Sequence, residues 1–163
     1  MEIQLAKIKP RHFAIREALV EQIKINLAIR PLQYFFKPEM ESTMKELEKL
    51  PSGTIGNDIF NMLHQNKLNV IPKFKEHDLK HILLDYGMSS IDEIRMQAYL
   101  FGNGNNTISC LLFLCSGIIF PEYWSLFYDD FKKGATSTYI GNLKLKECKT
   151  TSTTSLKKIY KNT

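Results

Sequence analysis

The stretch HDLKHILLDYGMSSIDE, residues 77–93, decides how this chain folds. His77 and His81 are four residues apart, so a helix would project both imidazoles from one face. Residues 86–90, YGMSS, interrupt the helical pattern, and Glu93 follows His81 after eleven intervening residues. Glu93 therefore belongs to a second helix, and two helices packed at an angle can bring it to the imidazoles.

Two imidazoles and two of the carboxylates in this stretch together form a donor set suited to a divalent metal. The predicted ligands are His77, Asp78, His81 and Glu93, with zinc as the first choice and iron or manganese as alternatives. A purely structural interpretation stays open, because an i,i+4 histidine pair is a common accident of sequence. Asp78, near a helix start, can simply favour the helix dipole.

The role of Glu93 depends on which serine caps the second helix. A cap at Ser90 makes Glu93 its capping-box partner at the helix surface. A cap at Ser89, with Asp92 as the partner, leaves Glu93 free to point inward. Gln97, one turn later, can hydrogen-bond a ligating residue or face solvent.

The pattern H-D-x-x-H, eleven residues, then Glu resembles the signature of a ubiquinone (coenzyme Q) biosynthesis family, the one numbered four in the coenzyme Q series. His77, Asp78, His81 and Glu93 match it in full. A second stretch, residues 51–56 (PSGTIG), is similar to the family's P-x-G-T-(L/I)-G. The resemblance extends over about residues 45–145.

This resemblance implies a helical, metal-binding protein that is peripheral to membranes and associated with prenylated quinone precursors. Family members are linked to removal of the carboxyl group from C1 of the prenylated ring, which would make the chain a metal-dependent decarboxylase. They are also linked to organising other enzymes of the pathway. In this interpretation the metal acts as a Lewis acid. Asp78 is then the predicted catalytic residue, which either ligates the metal or moves a proton.

Two rival functions stay open on the sequence. One is a non-catalytic module, in which the metal is structural and an apolar pocket holds an isoprenoid lipid. The other is a metal-dependent phosphohydrolase, a class that also uses adjacent His and Asp residues. It needs further ligands, for which His64 and Asp92 are the candidates.

Helical periodicity and breaker residues predict an all-α fold, a single compact domain of about six or seven helices. The domain spans residues 1–145, and a short tail, residues 146–163, is rich in Lys, Thr and Ser and is predicted to be disordered. The predicted helices cover residues 11–30, 39–50, 54–65, 74–86, 91–101, 108–120 and 121–134, and residues 135–145 form an extended wrap.

Residues 108–120 form a run of thirteen residues without a charge. A transmembrane helix needs about twenty such residues. The run therefore predicts a buried central helix or a helix that lines an apolar pocket. A prenyl chain requires such a wall, and the residues predicted to contact the lipid are Leu111, Leu114, Gly117 and Ile118.

The net charge of +5 comes entirely from the C-terminal end, where residues 144–163 hold six lysines and one glutamate. The rest of the chain is neutral, which argues against nucleic acid as a partner. The basic tail predicts weak attraction to an anionic membrane surface. Three irregularly spaced cysteines, and no evident secretory or transit signal, favour a bacterial cytoplasmic location at the inner membrane face. A homodimer is also compatible with these features.

Overall fold

A computed structural model of the chain describes residues 11–24 and 30–161. This part of the chain holds nine α-helices and no β-sheet. The helices are α1 Arg11–Lys24, α2 Arg30–Glu48, α3 Ile55–Gln65, α4 Lys75–Leu84, α5 Ser90–Gly102, α6 Ile108–Ser116, α7 Trp124–Thr136, α8 Leu145–Cys148 and α9 Thr153–Lys161. The predicted all-α fold is confirmed, with seven helices before residue 145.

Helix α2 is longer than the prediction, which began it at residue 39. It starts at Arg30 and continues through Pro38 to Glu48. A proline removes one backbone donor, but the helix does not end there. The predicted break between the first two helices, residues 31–38, is therefore wrong: these residues lie within α2. The first helix was predicted to continue to Arg30, but Arg30 begins α2, and residues 25–29 lie outside the described residues.

Helix α5 is the central element of the fold. Nine of its thirteen residues are buried, and it contacts α1, α6 and α7. On one side Met96, Tyr99 and Leu100 join a core built with α2, α3, α4 and the C-terminal helices. On the other side Ile91 and Ile94 join a second core with Phe13, Phe120 and Phe127. Such burial on both sides leaves α5 little freedom to move, so its side chains are rigidly placed.

Helices α5 and α7 cross at two glycines. A Cβ atom on Gly102 would collide with the carbonyl of Phe131, and one on Gly134 would collide with the carbonyl of Tyr99. The two backbones therefore touch directly, which only glycine permits at these points. Gly134 was interpreted as a helix end, but α7 continues to Thr136.

Helix α6 is peripheral, so the interpretation of residues 108–120 as a buried central helix is wrong. Within α6 only Cys110 is buried, while Ile108 and Leu112 are 78% and 67% exposed. The helix packs on α5 by one narrow face and leaves the opposite face in solvent. A segment that is apolar all round has no polar face to indicate which side turns to solvent, and this is why the prediction failed.

The tail that was predicted to be disordered from residue 146 is instead structured over residues 146–161. Helices α8 and α9 bury Leu145, Cys148 and Leu156 in the larger core. The segment between them hydrogen-bonds to the loop and first turn around Thr54: Ile55 N donates to Thr151 O, and Gly56 N donates to Lys149 O. A few well-placed apolar residues thus dock a segment whose average composition is polar.

Among the described residues, no single helix is both long enough and apolar enough to cross a membrane. One bent pair, Ile108–Ile119 and Pro121–Thr136, meets the length and composition criteria together, with an angle of 108° between the two helices.

Candidate metal centre

The two helices that carry the predicted ligands are α4 and α5. A 3-10 turn, Pro72–Phe74, leads into α4. The residue that caps the C-terminal end of α4, Asp85, adopts the left-handed conformation (φ 59°, ψ 35°). Helix α5 is capped by Ser89, whose hydroxyl accepts from Asp92 N at 3.1 Å and donates to the Asp92 carboxylate at 2.7 Å. The second capping alternative is therefore the one adopted, and it leaves Glu93 free to point inward.

Three of the four predicted ligands converge on one point. His77 Nε2 and His81 Nε2 each lie 3.2 Å from Glu93 Oε2, and the two nitrogens are 3.2 Å from each other. His81 and Glu93 are buried, and the His77 side chain is 26% exposed. These three residues form a group that could hold a metal ion, as the sequence predicted.

The triangle has the dimensions of a metal site. Zinc is bound at about 2.0–2.1 Å by His and carboxylate ligands, and tetrahedral angles then put neighbouring donor atoms about 3.3 Å apart. The observed separations of 3.2 Å therefore match one face of a tetrahedron, and they leave one corner for a further ligand. This geometry fits a divalent ion but does not select zinc over iron or manganese.

The charges in the triangle reinforce one another. Burial opposes the ionised form of Glu93, but the charge of His77 and hydrogen bonds from both imidazoles hold the pKa of Glu93 well below its usual range. Burial also opposes the charged form of His77, yet the Glu93 carboxylate, with Asp78, raises the pKa of His77 above its usual value. Glu93 is therefore an anion near neutral pH, the form in which a carboxylate binds a cation.

Two of the three side chains are held by further hydrogen bonds. Gln97 Nε2 donates to Glu93 Oε1 at 2.8 Å, so of the two alternatives left open for Gln97 it is the hydrogen bond, and not exposure to solvent, that is found. His81 Nδ1 lies 3.1 Å from the carbonyl oxygen of Tyr86. A carbonyl oxygen only accepts, so Nδ1 carries a proton; in the neutral ring the Nε2 lone pair is then available to a metal.

A cavity of about 740 Å³ opens beside the triangle. His77, Glu93 and Gln97 form part of its wall, so the ligand group is accessible from the cavity. Apolar side chains form another part of the wall: Leu63, Leu68, Ile71, Phe74, Leu100 and Phe113. The loop after α5, residues 103–107, and the segment 139–141 complete it. A volume of this size falls within the usual range for small-molecule sites.

Asp78 is buried and lines the same cavity, but it lies outside the group formed by His77, His81 and Glu93. Burial raises the pKa of Asp78 to about 6, against the opposing influence of the two histidines. The predicted roles of Asp78, as a metal ligand and as a catalytic residue, stay predictions.

The predicted lipid contacts lie apart from the wall of this cavity. Helix α6 contributes Ser109, Cys110 and Phe113 to the wall, whereas Leu111 and Ile118 are exposed and Leu114 is half-buried. Gly117 is buried, and a Cβ atom there would lie 3.1 Å from Ile94 and Phe127. The periodicity of an uncharged run does not reveal which side faces the site. Contact of the four residues with a lipid stays a prediction.

The extra ligands that a phosphohydrolase needs are not beside the triangle. His64 is exposed and stacks on Phe60, and Asp92 hydrogen-bonds to the N-cap Ser89 and pairs with Arg95. The stretch 51–56 also has a structural partner: Gly56 lies against Lys149 O of the C-terminal segment. The Tyr86 carbonyl was not predicted, since no side-chain pattern marks a backbone acceptor.

Comparisons with known proteins find no match, either to a protein-family model or to a curated protein. The site is therefore described by its own geometry.

Proposed function

We propose that this chain is a metal-binding protein of ubiquinone or related prenylated-quinone biosynthesis, which acts on the ring of a prenylated precursor. The observation that carries the proposal is the convergence of His77, His81 and Glu93 at the wall of a partly apolar cavity of about 740 Å³. The spacing of these residues resembles that of the family described above. The partly apolar wall fits a ligand with a prenyl tail.

The number of ligands favours catalysis over a purely structural metal. Structural zinc sites are closed by four protein ligands, whereas catalytic sites have three and keep one position for water or substrate. The group here has three members among the described residues, and it borders a cavity. A bound divalent ion would supply a Lewis acid for a ring hydroxyl or carboxylate.

The chain's own residues have separate roles in this proposal. Glu93 and the two histidines fix the position of the ion, and Gln97 fixes Glu93. Asp78 lines the cavity one residue from His77, where a carboxyl group can hold or deliver a proton to the ring. Decarboxylation at C1 is the reaction that we propose, and organisation of the pathway enzymes is the non-catalytic alternative.

Membrane association is part of the proposal, and it is supported by the exposed face of α6 and the turn that follows it. Ile108, Leu112 and Ile118 are each at least two-thirds exposed, and residues 108–120 carry no charge. Trp124, also exposed, lies at the edge of this surface, where amphipathic rings favour a lipid interface. A protein that takes its substrate from a bilayer needs such a surface.

The test is turnover of a prenylated 4-hydroxybenzoate by purified, metal-loaded protein, followed by mass spectrometry of the products. The proposal predicts loss of the C1 carboxyl group with the wild type, and no loss with Glu93→Gln. Glu48→Gln, an exposed change on α2, is the control and should retain activity. If the protein binds the prenylated 4-hydroxybenzoate but leaves it unchanged, the protein is a non-catalytic binding module. Release of phosphate from a phosphoester would favour the hydrolase.

A further inference from the structure

Tyr86 is the point where the candidate metal centre joins the rest of the fold. Its carbonyl oxygen accepts the hydrogen bond from His81 Nδ1, which orients the imidazole that is most deeply buried in the group. Tyr86 follows Asp85, the C-cap residue of α4, and so lies outside the helix. No helical hydrogen-bond ladder therefore holds this carbonyl, and its position depends on what holds the Tyr86 side chain.

The Tyr86 side chain is held from α5 and α7. The Arg95 guanidinium lies over the ring, 5.3 Å from its centroid, and Arg95 Nε donates to Asp130 at 2.8 Å. The Tyr99 ring packs at 6.4 Å. Burial and the nearby Asp130 carboxylate raise the pKa of Tyr86 far above its usual value, so the hydroxyl stays neutral beside that carboxylate.

Asp130 is itself firmly placed. It is 1% exposed and accepts from Arg95 Nε at 2.8 Å, with Lys133 at 3.5 Å. It lies on α7, whose backbone touches α5 at Gly102 and Gly134. The network therefore runs from two helices whose backbones are in direct contact to the carbonyl beside His81.

We propose that Tyr86 and Asp130 are positioning residues for the metal centre, which set the orientation of His81 through the Tyr86 carbonyl. The inference rests on the proposed function in so far as it requires a metal at His77, His81 and Glu93. Groups that orient a ligating histidine typically change metal affinity by 10–100-fold when they are altered. Because Tyr86 acts through its backbone, we expect an effect near the lower limit, about tenfold.

The test uses Co²⁺ as the probe in the full chain stripped of metal. Tyr86→Phe removes one hydroxyl and leaves Asp130 its bonds from Arg95 and Lys133, so the fold should persist. Tyr99→Phe is the matched control, because its ring packs on Tyr86 and its hydroxyl has no hydrogen-bond partner among the described residues. Titration of each variant gives the Kd for Co²⁺ and the visible absorption spectrum. Circular dichroism and melting of the metal-free protein report on folding.

We expect Tyr86→Phe to raise the Kd for Co²⁺ about tenfold and to change the absorption spectrum, while Tyr99→Phe leaves both unchanged. Asp130→Asn, which preserves the side-chain volume, should also raise the Kd for Co²⁺. This variant tests the inference on its own if Tyr86→Phe does not fold. A folded variant at either position with wild-type Kd and spectrum overturns the inference but leaves the metal centre intact. Failure of the wild type to bind Co²⁺ overturns both.

Discussion

His81 is the most constrained of the three side chains that face the candidate metal. Its ring is buried, one nitrogen is 3.1 Å from a backbone carbonyl, and the other is 3.2 Å from Glu93. Glu93 is comparably constrained, by Gln97 on one carboxylate oxygen and by the imidazoles on the other. Residues fixed in this way need little reorganisation to bind an ion, and this favours affinity.

The first prediction concerns Gln97. Replacing it with Leu removes the donor to Glu93 Oε1 and leaves that oxygen without its partner, so the carboxylate loses its fixed orientation. We expect the Kd for Zn²⁺ to rise by about 10–100-fold, measured by competition with a chelating dye. Gln65→Leu, an exposed change at the end of α3, is the control and should leave the Kd unchanged. Equal affinities for the two variants would contradict this role of Gln97.

Much of the site could be predicted at the residue scale. An i,i+4 pair in a helix fixes the relative position of His77 and His81, and the choice of cap determines where Glu93 points. The absence of Asp78 from the group follows from the same helical geometry, which the prediction of four ligands did not apply. Adjacent residues in a helix point about 100° apart, so Asp78 and His77 cannot both face the same point without distortion.

At the scale of elements, the C-terminal segment departs most from the sequence-based expectation. Helix α9 buries Leu156, and the Thr153 hydroxyl donates to Asp58 at 2.5 Å. Lys149 pairs with Glu46, and Lys157 pairs with Asp85. Composition alone does not predict this docking, because only Cys148 and Leu156 are buried apolar residues in a segment that is otherwise mostly polar. The backbone partners near Gly56 carry no sequence signal of their own.

The second prediction concerns this docking. Leu156→Ala should lower the free energy of unfolding by about 2–4 kcal/mol, because it empties volume in the larger core. Ile159→Ala, on the exposed face of the same helix, should change it by less than about 0.5 kcal/mol. Urea unfolding followed by circular dichroism measures both. If the two substitutions cost the same small amount, α9 does not contribute to the fold.

Helix α6 differs from the prediction in the opposite direction, since it is more exposed than its sequence indicates. A run without charges predicts burial, and Cys110, Gly117 and Phe120 are buried. The remaining surface is exposed because α6 packs mainly on α5, whose surface is also occupied by α7 and α1. Sequence periodicity fixes the helix but cannot show how much partner surface is available to cover it.

At the scale of the whole molecule, the cavity and the apolar face lie on opposite sides of α6. Cys110 and Phe113 line the cavity, while Leu112 and Ile118 are exposed to solvent. A lipid that enters the cavity from a bilayer would pass close to this helix. The proposed membrane surface and the proposed site thus share one helix.

The third prediction concerns the apolar face. Ile118→Ser should weaken binding to vesicles of phosphatidylcholine and phosphatidylglycerol about tenfold, because one fewer large apolar side chain enters the lipid. Ile159→Ser is the control: it is 62% exposed, against 67% for Ile118, but lies on α9. Vesicle co-sedimentation measures both. Equal binding of the two variants would exclude this face as the membrane contact.

The measurement that tests the central claim most directly is the metal content of the purified full chain after incubation with Zn²⁺ and removal of excess ion. Because three donor atoms lie 3.2 Å apart at a cavity wall, the wild type should retain about one metal per chain. The double variant His77→Ala with His81→Ala should retain none while circular dichroism shows it to be folded. Full metal content in the folded double variant, or none in the wild type, would contradict the metal centre described here.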